Sequence, residues 1–163
     1  VANKRANTKP ELVVRKMLRE MGWPGYRCDW KKCAGHPDIA YPGRRIALFV
    51  HGCYWHQHEG CKYASKPKSN VEFWEQKFAR NKARDERVRK QLEDEGWHVV
   101  VIWECELKKD RIEETRQRLH DEIEYAFVDD RAKPDNNRRG TFVWLAHRSR
   151  RVRMGEIDVK RDA

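Results

Sequence analysis

Four potential metal ligands stand out, because three of them fall within one short segment. The segment has a Cys-x4-His-x2-Cys spacing and a further cysteine follows a strongly apolar stretch, which gives the set Cys53, His58, Cys61 and Cys105. Zinc favours four cysteine and histidine ligands in a tetrahedron, and a closed site of this type has a structural role. The spacing leaves two alternatives open: Cys105 is an ordinary buried cysteine, or Cys28 and Cys33 compete as ligands.

A second group of residues has the chemistry for phosphodiester hydrolysis. Asp38 begins a short apolar stretch, and a carboxylate there can hold Mg²⁺ through oxygen. His51 ends the next apolar stretch and His56 follows five residues later, and histidine can act as an acid or a base near neutral pH. The group is typical of metal-dependent nucleases. The alternatives are that Asp38 belongs to an ordinary Pro-Asp turn and that the histidines are further metal ligands or bond within the loop.

Aromatic residues form a third group, within the same segment and at the start of the predicted helix that follows: Tyr54, Trp55 and Trp74. Aromatic rings among basic residues can stack on bases or wedge between base pairs. Two large rings in a polar loop favour that function. A tryptophan in the first turn of a helix is more often a core residue, so the role of Trp74 stays open at this point.

The charge distribution favours a polyanionic partner. The 163 residues carry 36 Lys+Arg and 26 Asp+Glu, a net charge of +10. The balance is +6 in residues 1–35, +3 in 36–70, −3 in 71–125 and +4 in 126–163. Such asymmetry is typical of nucleic-acid-binding proteins. We expect no membrane span and no secretory signal, and the five cysteines indicate a metal site or buried thiols rather than a disulfide framework.

Helices and strands must position these side chains, and the hydrophobic pattern predicts both. Helices are predicted from Thr8 to Gly22, from Asn70 to about Glu95 and from about Asp110, and strands at 37–41, 45–50 and 97–103. The α-β-β-α-β-α order predicts an α/β protein with a mixed β-sheet flanked by helices.

The C-terminal part of the sequence differs from the rest. Residues 129–140 have the composition of a linker, 142–145 form one more strand candidate, and a basic tail follows. We therefore expect a first domain over 1–125 and a basic C-terminal extension over 126–163.

Several segments together resemble the very short patch repair (Vsr) DNA mismatch endonucleases. The most specific is LFVHGCYWHQHEGC at 48–61. The others are NTKPEL at 7–12, GHPDI at 35–39, EFW at 72–74 with Lys77 and Asn81, and the stretch from GW at 96–97 to WEC at 103–105. Their order and spacing agree with the family over about residues 3–107.

The resemblance implies a restriction-endonuclease-like fold with a structural zinc and a catalytic Mg²⁺. It implies an enzyme that recognises a T·G mismatch, the product of 5-methylcytosine deamination, in double-stranded DNA and nicks on the 5′ side of the mismatched thymine. Carried over residue by residue, the catalytic centre would contain Glu11, Asp38, His51 and His56, with magnesium bound by Asp38 and by the backbone carbonyl of Val50. Zinc would be bound by Cys53, His58, Cys61 and Cys105, and the intercalating wedge would be Tyr54, Trp55 and Trp74.

The resemblance also implies partners and a location. The expected partners are mismatch-repair proteins and a cognate cytosine methyltransferase. The expected location is the bacterial cytoplasm, in association with the nucleoid. A monomer is expected, because nicking one strand needs one active site. Two other functions remain open: a sequence-specific restriction or homing-type endonuclease of the same fold, and a non-catalytic, zinc-stapled DNA-binding module.

Overall fold

A computed structural model describes residues 6–132 of the chain. Within them lie helices α1 (Lys9–Glu20), α2 (Val71–Asp94) and α3 (Ile112–Ala132), and strands β1 (Arg27–Cys28), β2 (Ile39–Tyr41), β3 (Ile46–His51) and β4 (His98–Trp103). Short 3₁₀ helices follow β2 and β4, at Pro42–Arg44 and Glu104–Leu107. The predicted α/β class and the six predicted elements are confirmed. Strand β1 was not predicted, because two exposed residues carry no alternation of apolar and polar side chains.

Helix α1 begins as its sequence predicts. Thr8 is the N-cap residue, with extended backbone angles, and its hydroxyl accepts a hydrogen bond from the Glu11 N–H at 3.5 Å. Pro10 lies in the first turn, where a missing N–H costs no helical hydrogen bond. The helix buries one face, formed by Val14, Met17 and Leu18.

The sheet has the strand order β1-β2-β3-β4 and is mixed. Strands β1 and β2, and β2 and β3, pair antiparallel, whereas β3 and β4 pair parallel. A parallel pair needs a long crossover, and the segment with α2 supplies it. As a result, β3 and β4 end at the same edge of the sheet, with His51 opposite Trp103.

The main core lies between one face of the sheet and helices α1 and α3. Its members are Val14, Met17, Leu18, Ile39, Tyr41, Ile46, Leu48, Val100, Ile102, Leu119, Ile123 and Ala126. Helix α2 contributes none of them. It contacts the chain near Gly35, where a Cβ would collide with Val88 Cγ1. Gly35 also has φ +73°, so both the lack of space and the backbone conformation favour glycine there.

Helix α3 overturns one of the C-terminal predictions. The helix runs to Ala132, so the prediction of a linker from residue 129 is wrong for its first four residues. The strand predicted at 142–145 and the basic tail lie outside the described residues.

By internal contacts the chain divides into two units, Val1–Lys133 and Pro134–Ala163, and every element above belongs to the first. The expected domain boundary after residue 125 stays a prediction. None of the helices within residues 6–132 is long and apolar enough to cross a membrane.

Candidate active site and metal-ligand cluster

The candidate active site lies where β3 ends and the loop 52–61 begins. Side chains alternate along a strand, so Leu48 in β3 and Ile102 in β4 point into the core, whereas His51 and Trp103 lie on the other face. The rings of His51 and Trp103 are in contact, with centroids 5.3 Å apart. The shared strand edge therefore presents a histidine outside the apolar core.

Asp38 is held against the end of β3. Its Oδ2 accepts a hydrogen bond of 2.7 Å from the backbone N–H of Val50. Burial raises the pKa of Asp38 to about 6 and the charge of Glu11 adds to the rise, whereas the Val50 hydrogen bond and the charges of Arg15 and His56 oppose it. A cation at this carboxylate would stabilise its charged form.

Glu11 is buried beside the start of α1 and is fully engaged in hydrogen bonds. Its Oε2 accepts from the Asn7 N–H at 2.8 Å and from Arg15 Nη2 at 3.0 Å, and its Oε1 accepts from the Thr8 hydroxyl at 2.8 Å. Glu11 thereby completes the helix cap, and its charge also acts on Asp38.

His51 and His56 stack on each other, with ring centroids 3.9 Å apart and an interplanar angle of 7°. His56 Nδ1 lies 2.5 Å from Asp85 Oδ2, and the three residues have ligating atoms within 4.8 Å of one another. Burial and the neighbouring His56 lower the pKa of His51 to about 4, against the opposing charge of Asp85. The stacking contact thus brings the two predicted catalytic histidines together.

Asp85 is a site residue that the sequence reasoning missed. Its other carboxylate oxygen accepts a hydrogen bond of 3.1 Å from Arg84 Nη2. Burial acts to raise the pKa of Asp85, but the hydrogen bond and charge of His56 hold it below its usual value.

A signal for Asp85 exists in the sequence. The inward-facing positions of α2 follow a spacing of four and three residues: Trp74, Phe78, Asn81, Asp85, Val88 and Leu92. A carboxylate at one of these positions faces the body of the protein and needs a partner there. Asn81 is the other polar member, and its Nδ2 donates to the Trp55 carbonyl at 3.0 Å.

The four predicted metal ligands also come together. One ligating atom from each of Cys53, His58, Cys61 and Cys105 lies within 4.8 Å of the others. His58 Nδ1 is 3.3 Å from Cys105 Sγ and 3.8 Å from Cys53 Sγ. A tetrahedral zinc site has donor–donor distances of about 3.5 Å, so these side chains can hold a metal ion. Cys28 and Cys33, the alternative ligands, lie outside this cluster.

The metal-ligand cluster adjoins the histidine pair. The ring of His58 stacks on Trp103, with centroids 4.1 Å apart and an interplanar angle of 3°, and Trp103 contacts His51. Backbone hydrogen bonds form turns within the loop, from the His56 N–H to the Gly52 carbonyl at 3.1 Å and from the His58 N–H to the Cys53 carbonyl at 3.0 Å. The cluster thus supports the segment that carries His56.

The three predicted wedge residues form one partly exposed aromatic cluster. The Tyr54 ring lies 5.0 Å from Trp55 and 6.1 Å from Trp74, and the two tryptophan rings are 6.1 Å apart. Lys77 Nζ lies over both indoles, 5.3 Å from the Trp55 ring and 4.9 Å from the Trp74 ring. Trp74 is only half buried, so the alternative of an ordinary core residue does not describe it.

Comparison with known sequences identifies the family to which this chain is similar. The sequence model for the DNA mismatch endonuclease Vsr matches residues 1–62. The type II nicking enzyme V.XorIIP of Xanthomonas oryzae pv. oryzae is 48% identical over 101 residues, which are 62% of this chain and 73% of that enzyme. The DNA mismatch endonuclease Vsr of Escherichia coli is 38% identical over 123 residues, 74% of each chain.

A third relative is the type II nicking enzyme V.NmeAIP of Neisseria meningitidis, 42% identical over 113 residues, 69% of this chain and 78% of that enzyme. The protein is therefore a DNA endonuclease of the strand-nicking class. Within that class, the chain belongs to the Vsr family of DNA mismatch endonucleases.

Proposed function

We propose that this endonuclease recognises T·G mismatches, the product of 5-methylcytosine deamination, and hydrolyses the phosphodiester on the 5′ side of the mismatched thymine in a Mg²⁺-dependent reaction. The observation that carries the proposal is the joint position of the histidine pair and the aromatic cluster. His51 and His56 flank Tyr54 and Trp55 along one short loop, so a base pair opened by the rings would lie beside groups able to transfer protons.

Asp38, His51 and His56 are the proposed catalytic residues, with Glu11 at the same centre. Asp38 and the Val50 carbonyl would hold magnesium, which offsets the negative charge that develops on the phosphate. The donor set fits, because Asp38 is a half-buried carboxylate with a hydrogen bond from Val50, in an environment that disfavours its charge. Mg²⁺ binds oxygen ligands and keeps several waters, so few protein ligands are enough.

His56 is the proposed general base for the attacking water. Its Nδ1 is bonded to Asp85, which leaves Nε2 as the nitrogen that accepts a proton. Asp85 fixes the ring orientation and stabilises the imidazolium that forms. His51, stacked on His56, assists at the phosphate or the leaving oxygen.

We assign zinc to the cluster of Cys53, His58, Cys61 and Cys105, in a structural role. Four protein ligands close the coordination shell and leave no position for substrate. The ion would join the loop 52–61 to the end of β4, and it would thereby hold His56, Tyr54 and Trp55 in place.

Tyr54, Trp55 and Trp74 are the proposed wedge that intercalates beside the mismatch. Opening a base step costs a few kcal/mol and less where the pair is mismatched. Insertion of rings therefore favours the T·G site over paired DNA. Lys77 lies over the two indoles, and its charge would attract the phosphates that flank the opened step.

The broader assignments complete the proposal. The fold is restriction-endonuclease-like, and the enzyme works as a monomer in the bacterial cytoplasm near the nucleoid. Its partners are mismatch-repair proteins and a cognate cytosine methyltransferase, and residues 126–163 form a basic extension to the endonuclease domain of residues 1–125.

The test is single-turnover nicking of two duplexes that differ only in one pair, T·G or T·A, with and without Mg²⁺. We expect a nick on the 5′ side of the mismatched thymine, in Mg²⁺ only, and at least 100-fold faster than in the paired duplex. Equal nicking of the two duplexes would contradict mismatch recognition and favour a sequence-specific nickase. An Asp38→Ala protein that nicks as fast as the wild type would contradict the catalytic assignment.

A further inference from the structure

Two basic segments far apart in sequence meet beside the metal-ligand cluster. Residues 61–70 carry three lysines and no acidic residue, and 108–111 carry two lysines and an arginine with one aspartate. Cys61 begins the first segment and Cys105 lies shortly before the second, and their thiols belong to the same cluster. The cluster therefore brings the positive charge of the two segments to one surface.

Tyr63 is the point at which the two segments touch. Lys62 Nζ lies 5.2 Å and Lys108 Nζ lies 5.3 Å from the centroid of the Tyr63 ring. The ring is 45% exposed, and both lysines are exposed as well. A cation over an aromatic face is attracted to the ring but keeps N–H groups free for another partner. The ring thus holds two ammonium groups at one exposed site.

Neither ammonium group has a carboxylate partner within 4 Å among residues 6–128. Other lysines of the chain do, such as Lys16 with Glu20 and Lys66 with Glu75, each at 3.7 Å. An exposed ammonium group without a counter-charge attracts an incoming anion, and here two such groups contact the same ring. The surface formed by Lys62, Tyr63 and Lys108 is therefore suited to an anionic partner.

We propose that the Lys62–Tyr63–Lys108 surface binds backbone phosphates of the DNA duplex that flanks the nicking site. The surface borders the metal-ligand cluster, and that cluster touches the histidine pair through His58 and Trp103. A duplex carries one phosphate charge per about 1.7 Å of its length, so DNA seated at the histidines presents phosphates nearby. Such contacts set register and affinity and do not read base sequence.

The inference rests on the proposed function only in taking a DNA duplex as the partner, and it does not require mismatch recognition. It is tested with the full chain and a fluorescein-labelled, fully paired 30-base-pair duplex in buffer without added Mg²⁺, by anisotropy over a series of KCl concentrations. The variant is Lys62→Ala/Lys108→Ala. We expect about 10-fold weaker binding, and a slope of log Kd against log salt smaller by about 2, because each lost phosphate contact removes about 0.9.

The matched control is Arg87→Ala/Lys90→Ala on α2. These two residues line a shallow surface groove that also carries Glu86, Asp94 and Glu95, and three carboxylates there disfavour an anionic partner. We expect the control to keep the wild-type slope. If both double variants lower the salt slope equally, the change results from the lower net charge of the protein, and the proposed surface is wrong.

A Lys62→Arg/Lys108→Arg protein distinguishes the loss of phosphate contacts from a loss of local structure around Tyr63. Arginine keeps the charge and the contact with the ring, so the wild-type slope should return. An unchanged slope in the alanine variant, or failure of the arginine variant to restore it, overturns the proposal. Because the paired duplex serves as the probe, either result is independent of T·G preference.

Discussion

The carboxylate of Asp85 determines which nitrogen of His56 is available for chemistry. It bonds Nδ1, and a histidine bonded on one nitrogen presents the other to its surroundings. Arg84 binds the second oxygen of the same carboxylate, so Asp85 is held from both sides. His56 itself lies in a loop, and this contact with α2 gives its ring a fixed orientation.

The Asp85→Asn substitution tests this positioning role. Asparagine keeps the size of the side chain but removes the charge that stabilises the imidazolium, so we expect single-turnover nicking to fall roughly 10- to 1,000-fold, within the usual contribution of a positioned base. DNA affinity should change less than twofold. Glu86→Gln is the matched control, because Glu86 is exposed and bonds only Arg89. Wild-type nicking by Asp85→Asn would show that His56 needs no partner.

Asp38 should make the metal-free protein less stable at high pH. Its pKa in the fold is about 6, against about 3.9 in an unfolded chain, so the fold favours the protonated carboxyl. Its contribution to stability is therefore fully present below about pH 4 and is lost as pH rises through 6.

The corresponding variant is Asp38→Asn, which cannot ionise and can still accept the Val50 hydrogen bond. In EDTA at pH 8 we expect it to be more stable than the wild type by up to about 3 kcal/mol, with the difference vanishing near pH 4. Thermal unfolding at several pH values measures this. Exposed Asp94→Asn is the control and should show no such pH dependence. If Asp38→Asn is less stable at pH 8, burial does not disfavour the Asp38 charge.

The ligands that share a segment were predictable from their spacing, and Cys105 was predictable because it follows a strong apolar run, whereas Asp85, which meets His56 only in the fold, was not predicted. His51, Cys53, His58 and Cys61 lie within eleven positions, so their spacing alone brings them near one another. Asp85 is 29 residues from His56 and is one of several acids on a charged helix.

The same distinction applies to the secondary-structure elements. Helix α1 begins at its predicted cap and the two longer strands follow apolar runs, and the structure confirms these elements, whereas Asn70 precedes α2 without a cap hydrogen bond from its side chain. Strand β1 depends on pairing with β2, because two residues carry no periodic pattern of their own. The meeting of Lys62 and Lys108 at Tyr63 likewise depends on the ligand cluster rather than on local sequence.

The loop 52–61 has no helix or strand of its own, so the metal-ligand cluster is its main tie to the sheet. Cys105, in the 3₁₀ helix after β4, is the one ligand outside the loop. Cys105→Ala should lower bound zinc from one equivalent to near zero and reduce nicking at least 100-fold, although Cys105 touches no reacting group. Elemental analysis and a nicking assay on the same preparation measure both effects.

The control for this substitution is Cys28→Ala. Cys28 is exposed and lies outside the cluster, so both metal content and activity should stay at the wild-type level. Full nicking by a zinc-free Cys105→Ala protein would show that the loop keeps its conformation without the ion.

At the scale of the whole molecule, the net charge differs between two regions of the sequence, and the aromatic cluster contains residues from both. Residues 1–70, which contain Asp38, the loop 52–61 and the two proposed catalytic histidines, carry the positive excess, whereas 71–125 are net negative. The aromatic cluster joins the two, because Tyr54 and Trp55 belong to the first region and Trp74 to α2. In the proposed function, mismatch selection would therefore depend on how α2 is set against the loop.

Trp74→Ala tests that dependence through selectivity rather than rate alone. Stacking of one base on an aromatic ring contributes about 1–3 kcal/mol, so removal of Trp74 should reduce the ratio of T·G to T·A nicking about 5- to 100-fold. The loss should come from slower nicking of the mismatched duplex, because the paired duplex is not opened. Tyr125→Ala, which removes a more exposed ring from α3, is the control and should keep the ratio. A Trp74→Ala protein that slows on both duplexes by the same factor would indicate a role for Trp74 in packing α2, and not in recognition.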